Sequence, residues 1–151
     1  MNRSILRILI AIFFCGSIAL NAQELPEEYQ KLSQEDALKF AKKCDVAVQN
    51  FHTKGNYETA INWAYISLKL REKHLLPDHS DIALSLNNLA ELLRINGDYE
   101  RAEPLYRRAL KIREKVLGKE HPEVANSLDN LSLLLYTKGD YKEAEPLLLR
   151  A

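Results

Sequence analysis

From Ala37 onward the apolar residues fall three and four positions apart. Ala37, Phe40, Ala41, Cys44, Val48 and Phe51 form a first stripe, the spacing of an α-helix with one buried face. Ser33-Gln34-Glu35-Asp36 precedes it as a capping box, in which Ser33 accepts from the backbone N–H three residues on. Gly55 ends this helix, because glycine takes the left-handed cap conformation without steric cost. Asn56 caps a second helix whose inner residues include Tyr57, Ala60, Ile61, Ala64, Leu68 and Leu75, and Pro77 closes it. Ile82, Leu86, Leu89 and Leu93 mark a third helix, ended by Gly97. A fourth runs from about Asp98 to Leu117, with Gly118 as its stop. A fifth opens at His121-Pro122, where proline suits the first helical position. No stretch alternates as a strand would.

The pattern also repeats. Gly97-Asp98-Tyr99-Glu100-Arg101-Ala102-Glu103-Pro104-Leu105 returns 42 residues later as Gly139-Asp140-Tyr141-Lys142-Glu143-Ala144-Glu145-Pro146-Leu147. A worn copy, Gly55-Asn56-Tyr57-Glu58-Thr59-Ala60, lies 42 residues earlier. A fixed period of this size marks a stacked repeat protein. Two antiparallel helices joined at a glycine cannot bury their apolar face alone, so neighbouring pairs must cover one another. Small residues are needed where backbones approach, assigned to Ala102, Ala109 and Ala144. Large ones fill the seams, assigned to Tyr99, Leu86 and Leu89. Pro104 and Pro146 each remove one helical hydrogen bond, and a slight bend is expected there.

Composition agrees. Five glycines and five prolines are few, and Leu, Ala, Glu, Lys and Arg favour helix. Residues 1–22 stand apart: Arg3 and Arg7, the apolar run Ile8 to Phe14, then Gly16 and Ser17. Basic, apolar, small is the order of a secretory signal peptide, and the run is too short to span a bilayer. Cleavage is expected after Ala22, with Ala19 as the alternative, which makes the protein exported, periplasmic or extracellular. Residues 23–32 read as an extended lead-in. Losing residues 1–22 removes two basic residues and no acidic one from a total of 21 of each, leaving a net charge of −2. That balance gives no reason to expect nucleic acid, and no membrane insertion is expected once the signal is gone. Cys44 is then the sole cysteine, so packing alone must hold the fold.

Gly-Asp-Tyr-x-x-Ala-Glu-Pro-Leu, Ser85 to Ala90, Ala109 to Gly118 and Glu120 to Ala125 together resemble the tetratricopeptide repeats of kinesin light chains, which have the same 42-residue period. The resemblance is strong over Ile82 to Ala151 and weak over Phe40 to Leu76. It implies an all-α fold: an α-solenoid of antiparallel helix pairs wound as a right-handed superhelix over residues 33–151. Repeat 1 covers about 36–77, repeat 2 about 78–119 and repeat 3 about 120–151, the last truncated. In repeat 1, Asn62, Trp63 and His74 replace the residues matching Pro104, Leu105 and Val116, so it is expected to act as an N-terminal cap. Similar repeats occur in many bacterial proteins, and a secretory signal does not fit a cytosolic motor subunit.

The resemblance implies a module for protein–protein interaction, taking a peptide or partner protein in the concave groove lined by the first helix of each pair. Asn88 and Asn130 match the asparagines thought to hold peptide backbone there. They share a helical face with Glu91 and Ile95, and with Leu133 and Thr137. An amide both donates and accepts, so it can pair with any peptide unit. Val46 takes the matching place in repeat 1. Asn87, Glu91 and Asp129 argue against a carboxylate clamp. His79 and His121 match across repeats at helix starts and read as turn residues. No enzyme, metal site or cofactor is expected, because no catalytic order, phosphate loop or zinc spacing appears. The chain stops at Ala151, midway through the helix matching Tyr99–Leu117, which leaves Leu147-Leu148-Leu149 on an open edge. A fragment of a longer reading frame is the favoured account, and self-association through that edge the other. The alternative function is then an N-terminal scaffold of a larger bacterial protein, whose missing part, such as a caspase-like protease or signalling domain, carries the activity.

Overall fold

The computed structural model describes residues 25–151, so the signal-peptide reading of residues 1–22 lies outside the described residues. Seven helices follow in order among them: α1 (Glu27–Gln30), α2 (Gln34–Thr53), α3 (Tyr57–His74), α4 (Ser80–Ile95), α5 (Tyr99–Leu117), α6 (Pro122–Lys138) and α7 (Tyr141–Leu148). No strand occurs among the described residues. The pairs α2/α3, α4/α5 and α6/α7 are the repeat units, and from α2 to α7 each helix packs on its neighbours in sequence. First helices also meet directly, α4 against α6. The fold is an all-helical solenoid.

The turns within pairs are built alike. The N–H of Gly97 donates to the carbonyl of Arg94 at 3.0 Å, and that of Asp98 to Leu93 at 2.8 Å. Gly55 with Asn56, and Gly139 with Asp140, repeat both bonds onto His52 and Phe51, and onto Tyr136 and Leu135. These two bonds satisfy carbonyls that the helix end would otherwise leave open. They require a positive φ at the glycine, +83° at Gly97. The residue after it then starts the next helix: Asn56 Oδ1 accepts from Thr59 N, and Asp98 Oδ1 from Arg101 N. Asp140 makes no such bond. Between pairs the cap is a histidine. His79 Nδ1 accepts from Asp81 N and His121 Nδ1 from Glu123 N, each at 3.1 Å. The matched histidines are thus turn residues, as their position implied.

Second helices are joined by ion pairs that keep the period. Glu72 with Arg108 links α3 to α5, and Glu114 with Arg150 repeats that link between α5 and the turn that ends α7. One buried cluster runs continuously from Val48 to Ala144 through all three pairs. Ala102, Ala109 and Ala144 are buried where backbones approach, and Leu86 and Leu89 fill the seams. Tyr99 is only half-buried, while Tyr106 is wholly enclosed. Both α5 and α7 run through their prolines, Pro104 and Pro146.

The lead-in departs from the expected extended chain. Glu27–Gln30 is a helical turn, started by Pro26, whose carbonyl accepts from Tyr29 N at 2.9 Å. The driving force is burial of one ring: Tyr29 stacks on Phe40 with centroids 5.2 Å apart, and Phe40 meets Trp63 edge-on at 6.4 Å. Such rings bury large areas and gain about 0.5–1.5 kcal/mol more from their geometry. A second cluster containing Tyr29, Phe40, Cys44, Ile66 and Leu70 seals this end, and Trp63 packs against both clusters. Repeat 1 therefore has its own cap packing. Cys44 is fully buried and unpaired, and burial pushes its thiol up to about 12. It is a small core hydrophobe rather than a nucleophile.

Candidate partner-binding face

The 42-residue register places three residues of each first helix on one face. Val46, Gln49 and Thr53 belong to α2, Asn88, Glu91 and Ile95 to α4, and Asn130, Leu133 and Thr137 to α6. Large apolar side chains are open to solvent along it: Val46 at 62%, Ile95 at 37% and Leu133 at 49%. Leu84, one turn before Asn88 on the same face, is 47% exposed. Leu84 and Gln49 are absent from the residues read off the sequence. Counting the same helical face back by one turn, or by one 42-residue period, would have found both.

The expected site residues divide by their bonds. Asn88 is half-buried, and its amide has no hydrogen-bond partner among the described residues. Asn130 is engaged: its Nδ2 donates to Asn87 Oδ1 at 3.1 Å, across from α6 to α4. Thr137 donates to its own helix, at the Leu133 carbonyl. Glu91 is pinned. Arg94 donates to it through Nε at 2.9 Å and Nη2 at 2.7 Å, and the Tyr106 hydroxyl donates to Oε2 at 2.6 Å. The Arg94 guanidinium holds the Glu91 carboxyl below the usual carboxylate range, against the opposing effect of burial. Burial, and then Glu91, pushes the Tyr106 phenol up. Glu91 thus positions Tyr106, and its charge is already answered.

Behind this face lies a buried ionic network that no spacing along the chain announces. Arg71 of α3 donates to Asp45 of α2 through Nη1 at 3.1 Å and Nη2 at 2.6 Å, to Ser67 at 2.5 Å and to Ser85 of α4 at 2.7 Å. One guanidinium so joins three helices and two repeats. Arg113 repeats the last bond, onto Ser127 at 2.7 Å. Its register partners differ, because Asn87 stands where Asp45 does and Ala109 where Ser67 does. Its Nε makes no hydrogen bond among the described residues but faces Glu123 Oε2 at 3.4 Å, and burial lowers its pKa against the raising effect of Glu123.

Chemically the face offers an amide, apolar side chains and little net charge, which suits an extended polypeptide. Among the described residues no group of His, Cys, Asp and Glu is arranged to hold a metal ion. No described helix is long and apolar enough to cross a membrane.

A family model described as tetratricopeptide repeat matches residues 46–115 and again 81–151. No curated protein matches the chain. Among solved structures, BtubC (BKLC) from P. vanneervenii is similar with a TM-score of 0.73 and 24% identity, over 82% of this chain and 48% of that one. A putative kinesin light chain of Podosopora anserina with nearly identical TPR-like repeats gives a TM-score of 0.68 and 22% identity, over 76% of this chain and 54% of its own. At these identities the likeness is one of fold. The chain spans about half the length of each.

Proposed function

The chain belongs to the tetratricopeptide repeat family, whose members are generally non-enzymatic scaffolds for protein–protein interaction, and from that premise we propose that it binds an extended peptide segment of a partner protein along the concave row of α2, α4 and α6. One coincidence carries the reading. Val46, Leu84, Ile95 and Leu133 are exposed on the same face as Asn88, whose amide makes no hydrogen bond among the described residues. A lone exposed leucine needs no explanation, but a line of them beside an open donor and acceptor does. Asn88 and Asn130 would hold the partner's backbone, and the apolar residues would take its side chains. A pull-down from the extracellular or periplasmic fraction supplies the partner. Asn88→Ala with Asn130→Ala should then weaken binding about tenfold, or 1.4 kcal/mol, with the thermal midpoint little changed. Unchanged affinity in a folded double variant would remove the amides from the contact.

Export follows from the reading of residues 1–22, and Gln23 as the first residue of the mature chain is its test. A second reading rests on the exposed apolar residues of the last repeat, Leu149 at 84%, Leu148, Tyr136 and Tyr141. In it α7 is a contact surface, and the array is a scaffold within a larger assembly. A monomer at every concentration in sedimentation velocity would argue against self-association there.

A further inference from the structure

The repeats also differ where Tyr106 packs. In repeat 2 the wholly buried Tyr106 fills the space between the two helices and the following repeat, and its hydroxyl reaches Glu91. In repeat 1 the same two positions hold Ala64 and Gln49. Alanine has no ring to fill that space, and glutamine there makes no hydrogen bond among the described residues. The helices close in only partly. A notch remains over Ala64 and Val48, walled by Asp45, Gln49, Ser67, Ser85 and Asn88. Its volume of about 20 Å³ is enough for one ordered water or the end of a short side chain, and too little for a ring. Its polar wall is neutralised, because the Asp45 carboxylate already meets Arg71 in a two-nitrogen contact. A charged group entering it would lose its hydration and find no free countercharge. A hydroxyl or a methyl would not suffer that loss.

We propose that this notch is the side-chain subsite of the chain, and that it selects a threonine-sized residue, small and hydroxyl-bearing, in the bound segment. The inference rests on the peptide-binding reading of the row. Asn88, on the notch wall, holds the backbone of the residue whose side chain enters. Gln49 and the Asp45 carboxylate take the hydroxyl. Between repeats 2 and 3 the buried Tyr106 ring stands where Ala64 does.

The test uses the full mature chain and two blocked residues as probes, N-acetyl-threonine N-methylamide and N-acetyl-tyrosine N-methylamide, followed by amide NMR. The threonine probe should shift the side-chain amides of Gln49 and Asn88 in the millimolar range, and the tyrosine probe should need at least tenfold more. Ala64→Tyr with Gln49→Glu copies the plug of repeat 2 and should abolish the threonine-probe shifts. Ala64→Val, a smaller plug, serves if that variant does not fold. Equal response to both probes, or shifts that survive the plug, would overturn the subsite. Those results would leave the wider reading intact if a longer partner peptide still required Asn88 and Asn130. Loss of that requirement, with the notch still selective for threonine, would instead remove the wider reading alone.

Discussion

The hydroxyl of Tyr106 donates to Glu91 across 2.6 Å, tying the second helix of repeat 2 to its first. Ring and hydroxyl contribute separately, and substitution separates them. Tyr106→Phe keeps the packed ring and leaves Glu91 its two bonds from Arg94, so it should cost about 1–2 kcal/mol. Tyr106→Ala empties a fully enclosed site and should cost about 3–5 kcal/mol. Urea unfolding measures both, and equal losses would mean that the hydroxyl rather than the ring holds the repeat.

Arg71 depends on Asp45. Asp45→Asn leaves a buried guanidinium without its carboxylate, and should destabilise by about 2 kcal/mol or more, below the full value for a deeply buried pair because Asp45 is half-exposed. The reverse change, Asn87→Asp, supplies Arg113 with the carboxylate that its register lacks, and should raise the midpoint of unfolding. A fall in both variants would show that Arg113 is adequately served by Glu123 and Ser127.

Acid should act in two stages. His74 Nε2 is buried without a hydrogen-bond partner, and burial, with the adjacent Lys73, holds the imidazole below its ordinary 6.5. The unfolded chain then binds the proton first, so stability declines as pH falls below about 6.5 and levels off once the folded pKa is passed. Glu91 and Glu103 are held below the usual carboxylate range, by Arg94 and by Lys138. Their contribution is present above the unfolded carboxylate range and is lost only at lower pH. His74→Asn should remove the upper stage and spare the lower, as read from midpoints of unfolding against pH.

Gly97→Ala tests the corner. A Cβ at Gly97 would meet nothing within 4 Å, so space is no obstacle. The cost is the positive φ of +83°, about 1–2 kcal/mol for an L-residue. Gly97→Asn should lose less, since asparagine tolerates that conformation better. Thermal unfolding compares the two, and identical losses would implicate something other than the backbone angle.

The face proposed for binding was half legible. Asn88 and its stripe followed from the 3.6-residue period and the 42-residue register, both written along the chain. The pinning of Glu91 was not, because it depends on Tyr106, a residue fifteen positions away that looks in sequence like one more core aromatic. The engagement of Asn130 by Asn87 likewise needs α6 beside α4. Nor does one ring lost at Ala64 announce a notch, since helices can close over a missing side chain wholly, partly or not at all.

Periodicity, glycine corners and capping residues are local properties, so the chain alone determined that helices pair and pairs stack. Those features specify backbone angles and which stripe turns inward, and both are decided within a few residues. Tertiary structure alone decided that Tyr29 folds back onto Phe40, that Arg71 meets Asp45 through two nitrogens while Arg113 meets Glu123 only at 3.4 Å, and that one seam stays open. Each of these depends on distances between residues far apart in sequence, where hydrogen-bond reach and residual volume are set by how the helices come to rest.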